Sequence, residues 1–194
     1  MKPRLEVRLD TRSLERVEGD LLVAGFFRED RPLRGAAGRA DWRMCGLFSR
    51  ILLDAPSVEQ EPESILLSTQ GRLRVPRVLL FGLGNAQDFD AQALARVTRQ
   101  AVTRALGLGS ARLVLEPPGL RAEELAPHAG TLLEAVLEPV RAQEGSLHLR
   151  LLVSDGEGGR VEAALRNAIM KRAAGEAVLD SPRGQPARRG PEGL

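Results

Sequence analysis

Val75–Pro76–Arg77–Val78–Leu79–Leu80–Phe81–Gly82–Leu83–Gly84–Asn85 is a short aliphatic run that ends in a Gly-x-Gly turn. Asp88–Phe89–Asp90 follows it, and then a long amphipathic pattern through Leu106. This order reads as strand, glycine turn and helix, the basic joint of an α/β domain. On the N-terminal side, Ser64–Ile65–Leu66–Leu67–Ser68–Thr69 reads as a second strand, with Gln70–Gly71 suited to a hairpin turn between the two. On the C-terminal side, Asp90 is a good N-cap for a helix carrying Leu94, Val97, Ala101, Val102, Ala105 and Leu106, which Gly107 and Gly109 stop.

The remaining segments extend the same alternation. Leu5, Val7 and Leu9 alternate with charges and predict a half-exposed first strand. Leu21–Leu22–Val23–Ala24–Gly25–Phe26–Phe27 is continuously apolar, as a strand covered on both faces requires. Arg34–Gly35–Ala36–Ala37–Gly38 reads as a small-residue loop, and Ala40, Met44, Leu47, Phe48, Ile51 and Leu52 as one face of a single helix from Asp41 to Leu53. Pro56 to Pro62 is a polar connection. Arg112–Leu113–Val114–Leu115 predicts a strand closed by Pro117–Pro118–Gly119, followed by a helix from Ala129 to Ala142 whose last turn Pro139 ends or kinks. Leu147, Leu149, Leu151 and Val153 alternate as another strand, and Glu157 to Ala174 forms a final helix. Residues 1–179 are thus expected to form one α/β domain, a three-layer α/β/α sandwich with a mixed, mostly parallel sheet. From Asp180 the chain turns to Pro, Gly and Arg, so 180–194 is expected to be a disordered tail.

Composition narrows the function classes. One cysteine, Cys45, rules out an internal disulfide and fits a reducing compartment. No apolar run approaches the ~20 residues needed to cross a bilayer, and the first residues lack the apolar centre of a signal peptide, so a cytoplasmic location is expected. The pI near 9.3 accompanies a net charge of only +2: with no tyrosine, one cysteine, two histidines and the two lysines Lys2 and Lys171, little titrates between neutrality and pH 9. Basic and acidic residues are interspersed rather than gathered, which argues against nucleic acid as the partner.

With these elements in place, the chain resembles the N-terminal domain of the leucyl aminopeptidase family of metallopeptidases. The matching residues are Gly19–Asp20–Leu21–Leu22–Val23, the Asp41-to-Leu53 segment with Gly46–Leu47–Phe48–Ser49, Arg77 to Gly84, and the helix entered at Phe89–Asp90. The resemblance implies a macro-domain-like fold that precedes a separate catalytic domain holding two metal ions. It runs out near Ala174. The family's Asn-Thr-Asp-Ala-Glu-Gly-Arg-type active-site segment occurs nowhere in this chain, and Lys171 stands without the carboxylates of a two-metal site. No catalytic residue and no metal ligand can be carried over, and no resident cofactor is expected.

The expected role is therefore that of a non-catalytic binding or regulatory domain. One alternative is a module for a nucleotide or an ADP-ribose-type ligand. The resemblance to macro domains implies an acid at the adenine and a glycine-rich loop at the diphosphate, which points to Asp20, Gly35 and Gly38. Gly82, Gly84 and Asn85 could present N–H groups to a phosphate, although Gln87 stands where a dinucleotide fingerprint has its third glycine, and a plain strand-to-helix turn explains them equally. Another alternative is association with a protein partner, either a metalloaminopeptidase or a second copy. A DNA accessory role is implied by the resemblance to bacterial family members alone. Cys45 reads as a packed core residue, His148 as an outward strand residue, and Trp42 as cover for the core edge or an anchor for a partner.

Overall fold

The computed structural model describes residues 3–54 and 63–180. Among these residues seven strands form one sheet: β1 Leu5–Asp10, β2 Leu21–Phe26, β3 Ser64–Ser68, β4 Arg77–Gly82, β5 Arg112–Leu115, β6 Leu147–Leu152 and β7 Ala177–Leu179. Their order is β3-β4-β2-β5-β6-β1-β7. β3 runs antiparallel to β4, with Ser64 opposite Phe81 and Ser68 opposite Arg77; the other pairings are parallel. The expected hairpin and the mostly parallel mixed sheet are both present.

The α-helices of the described residues cover the sheet: α1 Gly35–Arg43, α2 Leu47–Asp54, α3 Ala91–Gly107, α4 Leu125–Arg141 and α5 Gly158–Arg172. Strand alternation divides the core between the two faces. Leu21 and Val23 of β2, Leu79 and Phe81 of β4, and Leu113 and Leu115 of β5 pack under α3, α4 and α5. Leu22, Ala24 and Phe26, Val78 and Leu80, and Val114 pack under α1 and α2. These three strands are the ones without polar alternation in the sequence. β1 and β6 are open on one face along most of their length: Leu5, Val7, Leu147 and Leu149 point inward, while Glu6 and Arg8 lie beside His148 and Arg150 on the open face, which closes only at Asp10 and Leu152.

Several boundaries differ from expectation. Gly35 and Gly38 belong to the first turns of α1, not to a loop. The single helix expected from Asp41 is two, broken where Cys45 and Gly46 adopt φ of +57° and +74°. The buried Asp41 carboxylate makes the break viable, accepting from Phe48 N at 2.8 Å, Ser49 N at 3.2 Å and Ser49 Oγ at 2.5 Å, so that it caps α2. Ala40, Met44, Phe48 and Leu52 still share one buried face, which is why the periodicity runs through the interruption. Cys45, expected in the core, is exposed, because the left-handed turn swings it outward, where Arg72 Nη1 approaches its Sγ at 3.3 Å. Trp42 is 74% exposed. α4 begins at Leu125, a turn before Ala129, and contains Pro139 near its end. β7 was not foreseen. The expected tail at 180–194, apart from Asp180, and the whole Pro56–Pro62 connection lie outside the described residues.

Candidate ligand-binding crevice

β2 and β5 lie side by side and parallel, yet the chain leaves them toward opposite faces, β2 into α1 and β5 toward α4. Such a divergence opens a crevice at the C-terminal strand ends, where open α/β sheets bind ligands. Two cavities occupy it, of 340 Å³ and 640 Å³. The smaller lies at the ends of β1 and β6, among Asp10, Thr11, Arg12, Val153, Ser154 and Asp155. The larger lies at the ends of β2 and β4, among Phe27, Glu29, Asp30, Gly35, Leu83 and Phe89. Glu116, Pro117, Leu120 and Arg121 line both.

Glu116 follows the last residue of β5 directly. Its N–H bonds Val23 O at 3.1 Å, and both carboxylate oxygens accept from Ala36 N at 2.7 Å. The α1 N-cap, Arg34, offers no side-chain acceptor, so the residue just past β5, 80 positions away from Ala36, caps this helix. Gly35 makes the approach possible: its φ is +57°, and a Cβ there would stand 2.6 Å from Glu116 Oε2. Arg39 Nη2 reaches Oε1 at 3.3 Å. Burial pushes the Glu116 carboxyl above its ordinary range, and the Ala36 N–H and the Arg39 guanidinium pull it back only in part.

Other backbone donors around the crevice are met in the same way. Asp30 Oδ2 accepts from Phe27 N at 2.9 Å, and Glu29 Oε2 from Ala86 N at 3.1 Å. Asp90 Oδ1 accepts from Gln92 N and Ala93 N at 2.9 and 2.8 Å, the N-cap read from sequence. Glu124 Oε2 accepts from Arg121 N at 2.8 Å. The floor includes an edge-to-face pair, Phe27 and Phe89, with centroids 5.3 Å apart. Gly119, at φ +67°, leaves room for both rings; a Cβ would fall 2.6 Å from Phe89 and 2.8 Å from Phe27.

The six residues singled out in the sequence are not one cluster. Gly35 lines the larger cavity. Gly38 lies further along α1, where a Cβ would strike Leu33 O at 2.2 Å, so close packing explains that glycine. Gly82 is inside β4, its N–H bonded to Glu63 O at 3.0 Å. Gly84 accepts from Arg28 N at 2.9 Å, and Asn85 Nδ2 donates to Asp88 Oδ2 at 2.9 Å; both flank Ala86, which reaches the cavity wall. Asp20 stands at the opposite end of the sheet, before β2. There it braces β5, accepting from Arg112 N at 2.9 Å and pairing with Arg112 Nη2 at 2.7 Å. Sequence reasoning passed over Glu116, Glu29 and Asp30. The available signal was a lone acid immediately after an apolar strand, at the end where α/β sites form.

Hydroxyls from Thr11, Ser13 and Ser154 and the imidazole of His128 also reach the crevice. His128 Nδ1 is engaged by the backbone oxygen of Glu124 at 2.9 Å rather than by a hydroxyl. The arrangement provides hydrogen-bond acceptors, negative charge and an aromatic wall. Among the described residues, no group of three or more His, Cys, Asp or Glu side chains is placed to hold a metal ion.

A family model described as "Cytosol aminopeptidase family, N-terminal domain" matches residues 23–140, from β2 to the end of α4. The chain belongs to the cytosol aminopeptidase family. A probable cytosol aminopeptidase of Cupriavidus metallidurans is 32% identical over 168 residues, covering 84% of this chain and 32% of that protein. The chain spans about a fifth to a third of the length of these curated cytosol aminopeptidases. The fold is shared with a tomato leucine aminopeptidase variant at TM-score 0.62 and 16% identity, over 86% of this chain and 36% of that one. It is shared equally with a Trypanosoma brucei macrodomain solved in complex with ADP-ribose, at TM-score 0.62 and 15% identity, over 82% and 68%. The family and the macro-domain-like architecture expected from the sequence are both present.

Proposed function

We propose that this chain is a non-catalytic binding and regulatory domain of the cytosol aminopeptidase family, working in the cytoplasm through the crevice at its strand ends. The supporting observation is the divergence of β2 and β5, which opens that crevice at the point where α/β folds take ligands. Its lining offers hydrogen-bond acceptors, negative charge and an aromatic wall, the features of a site that holds a ligand. The macrodomain likeness makes nucleoside-type ligands a natural first panel. A ligand at a hundredfold excess over its Kd stabilises the fold by about 2.7 kcal/mol, a clear rise in Tm. Adenosine, ADP-ribose and small amines at millimolar concentration form the panel, and a flat Tm across it would sink the crevice reading. Leucyl substrates with added zinc or manganese should give no turnover; chelator-sensitive hydrolysis would overturn the non-catalytic part.

A second reading is association with an aminopeptidase subunit. It is supported by the longer relatives, of which this chain matches a minor share, and by two large apolar side chains left at the surface, Trp42 and Leu53 at 74% and 77% exposure. Co-expression with a family catalytic chain should then yield a discrete complex on size exclusion. Elution at monomer mass counts against it.

A further inference from the structure

Resting on the reading that the crevice binds a ligand, we propose that Glu116 sets its charge specificity: the site takes ligands bearing a protonated amine and rejects phosphorylated ones. A helix N-terminus is ordinarily a seat for an external anion. Here the seat of α1 is already filled, with both Glu116 oxygens at 2.7 Å from Ala36 N. The fit is built in from both sides, because Gly35 brings the helix so close that a single added carbon would collide with the carboxylate. Glu116 also stands where the two cavities meet, so a ligand spanning both must cross it. A diphosphate crossing there would face a carboxylate instead of free N–H groups.

The surroundings reinforce this selection. The N–H groups of Phe27, Ala86 and Ala93, which could otherwise hold a phosphate, are taken by Asp30, Glu29 and Asp90. Carboxylates outnumber arginines two to one along the two cavities, although the whole chain carries a net charge of +2. The arginines are themselves engaged: Arg39 with Glu116, Arg34 with Asp30, Arg121 with Glu124 and Arg12 with Asp10. A carboxylate has about four lone-pair positions. Ala36 and Arg39 do not exhaust those of Glu116, whose side chain keeps 22% of its surface exposed. That remainder can accept from an ammonium group.

The test titrates wild type and Glu116→Gln with spermidine, pyrophosphate and ADP-ribose by calorimetry. Wild type should bind spermidine at least tenfold more tightly than pyrophosphate or ADP-ribose. Glu116→Gln keeps the shape and an acceptor for Ala36 N while losing the charge; it should lose tenfold or more toward spermidine and gain tenfold or more toward pyrophosphate. Should the Gln variant not fold, the wild-type preference decides alone, and equal or tighter binding of pyrophosphate overturns the proposal. If wild type binds ADP-ribose tightly and Glu116→Gln does not change this, the crevice reading stands and the charge assignment falls. If no probe binds either protein, both fall.

Discussion

Asp10, Asp20 and Glu116 each sit at a strand end, and each finds its donors differently. Asp10 has 3% of its side chain exposed and pairs with Arg12 Nη2 at 2.6 Å and Arg150 Nη1 at 3.3 Å. Burial alone would raise its carboxyl, but the Arg12 side chain and N–H, with Arg150, outweigh that and hold it below the usual 3.8. A lowered folded pKa supplies stability that is complete above the unfolded value and is lost as pH falls through the folded one. Asp10→Asn should therefore cost about 1 kcal/mol near neutrality, because the half-exposed Arg12 and the partly buried Arg150 lose their charged acceptor but keep access to water, and the cost should shrink in acid. Urea unfolding across pH checks it; a pH-independent difference would contradict the assignment. Glu116 has the opposite sign. Its raised folded pKa contributes stability below the unfolded value of 4.5 that disappears as pH rises through the folded value. The advantage of wild type over Glu116→Gln should thus be full below pH 4.5 and decline as pH rises through the raised folded value. Asp20, braced to Arg112 away from the crevice, is a stability residue. Asp20→Ala should lower Tm and leave crevice binding untouched; a loss of ligand affinity in the folded variant would show otherwise.

At the scale of elements, the α1–α2 break depends on one carboxylate. Asp41 lies buried and turns its oxygens to the first N–H groups of α2 rather than to its own helix. Removing an N-cap costs about 0.5–2 kcal/mol, and burial of the orphaned donors places this case at the upper end. Asp41→Ala should cost about 2 kcal/mol in denaturant unfolding, and a change below about 0.5 kcal/mol would show that solvent can replace the cap. Periodicity read this region correctly as one buried face and wrongly as one helix. Two helices at a short corner can keep Ala40, Met44, Phe48 and Leu52 in phase, so the break leaves the apolar pattern intact. β3, α3 and β5 were legible nearly to the residue, whereas β4 begins only at Arg77, two residues after the start of the Val75 run. β7 escaped because three residues, Ala177–Val178–Leu179, are too few to carry a period.

At the scale of the whole molecule, many arginines of the described residues are paired rather than gathered into a basic patch. Arg4, Arg43, Arg74, Arg99 and Arg141 each meet an acidic side chain or a backbone carbonyl. Such a surface releases few counterions from DNA. Retention on a duplex-DNA column should vanish by about 0.15 M salt, where the Debye length falls to about 8 Å. Retention persisting beyond that would restore a nucleic-acid role.

Local chemistry sufficed for the α/β class, the central strands, the capped helix after β4 and the family likeness, because burial on two faces and helix entry leave their mark within a few neighbouring residues. The crevice was beyond such a reading. Glu116 is unremarkable beside Leu115, and Gly35 beside Arg34; their meeting depends on β5 lying next to β2 while the chain leaves the two strands in opposite directions. Contacts across 80 positions follow from strand order, which the hydrophobic pattern of any single segment does not encode.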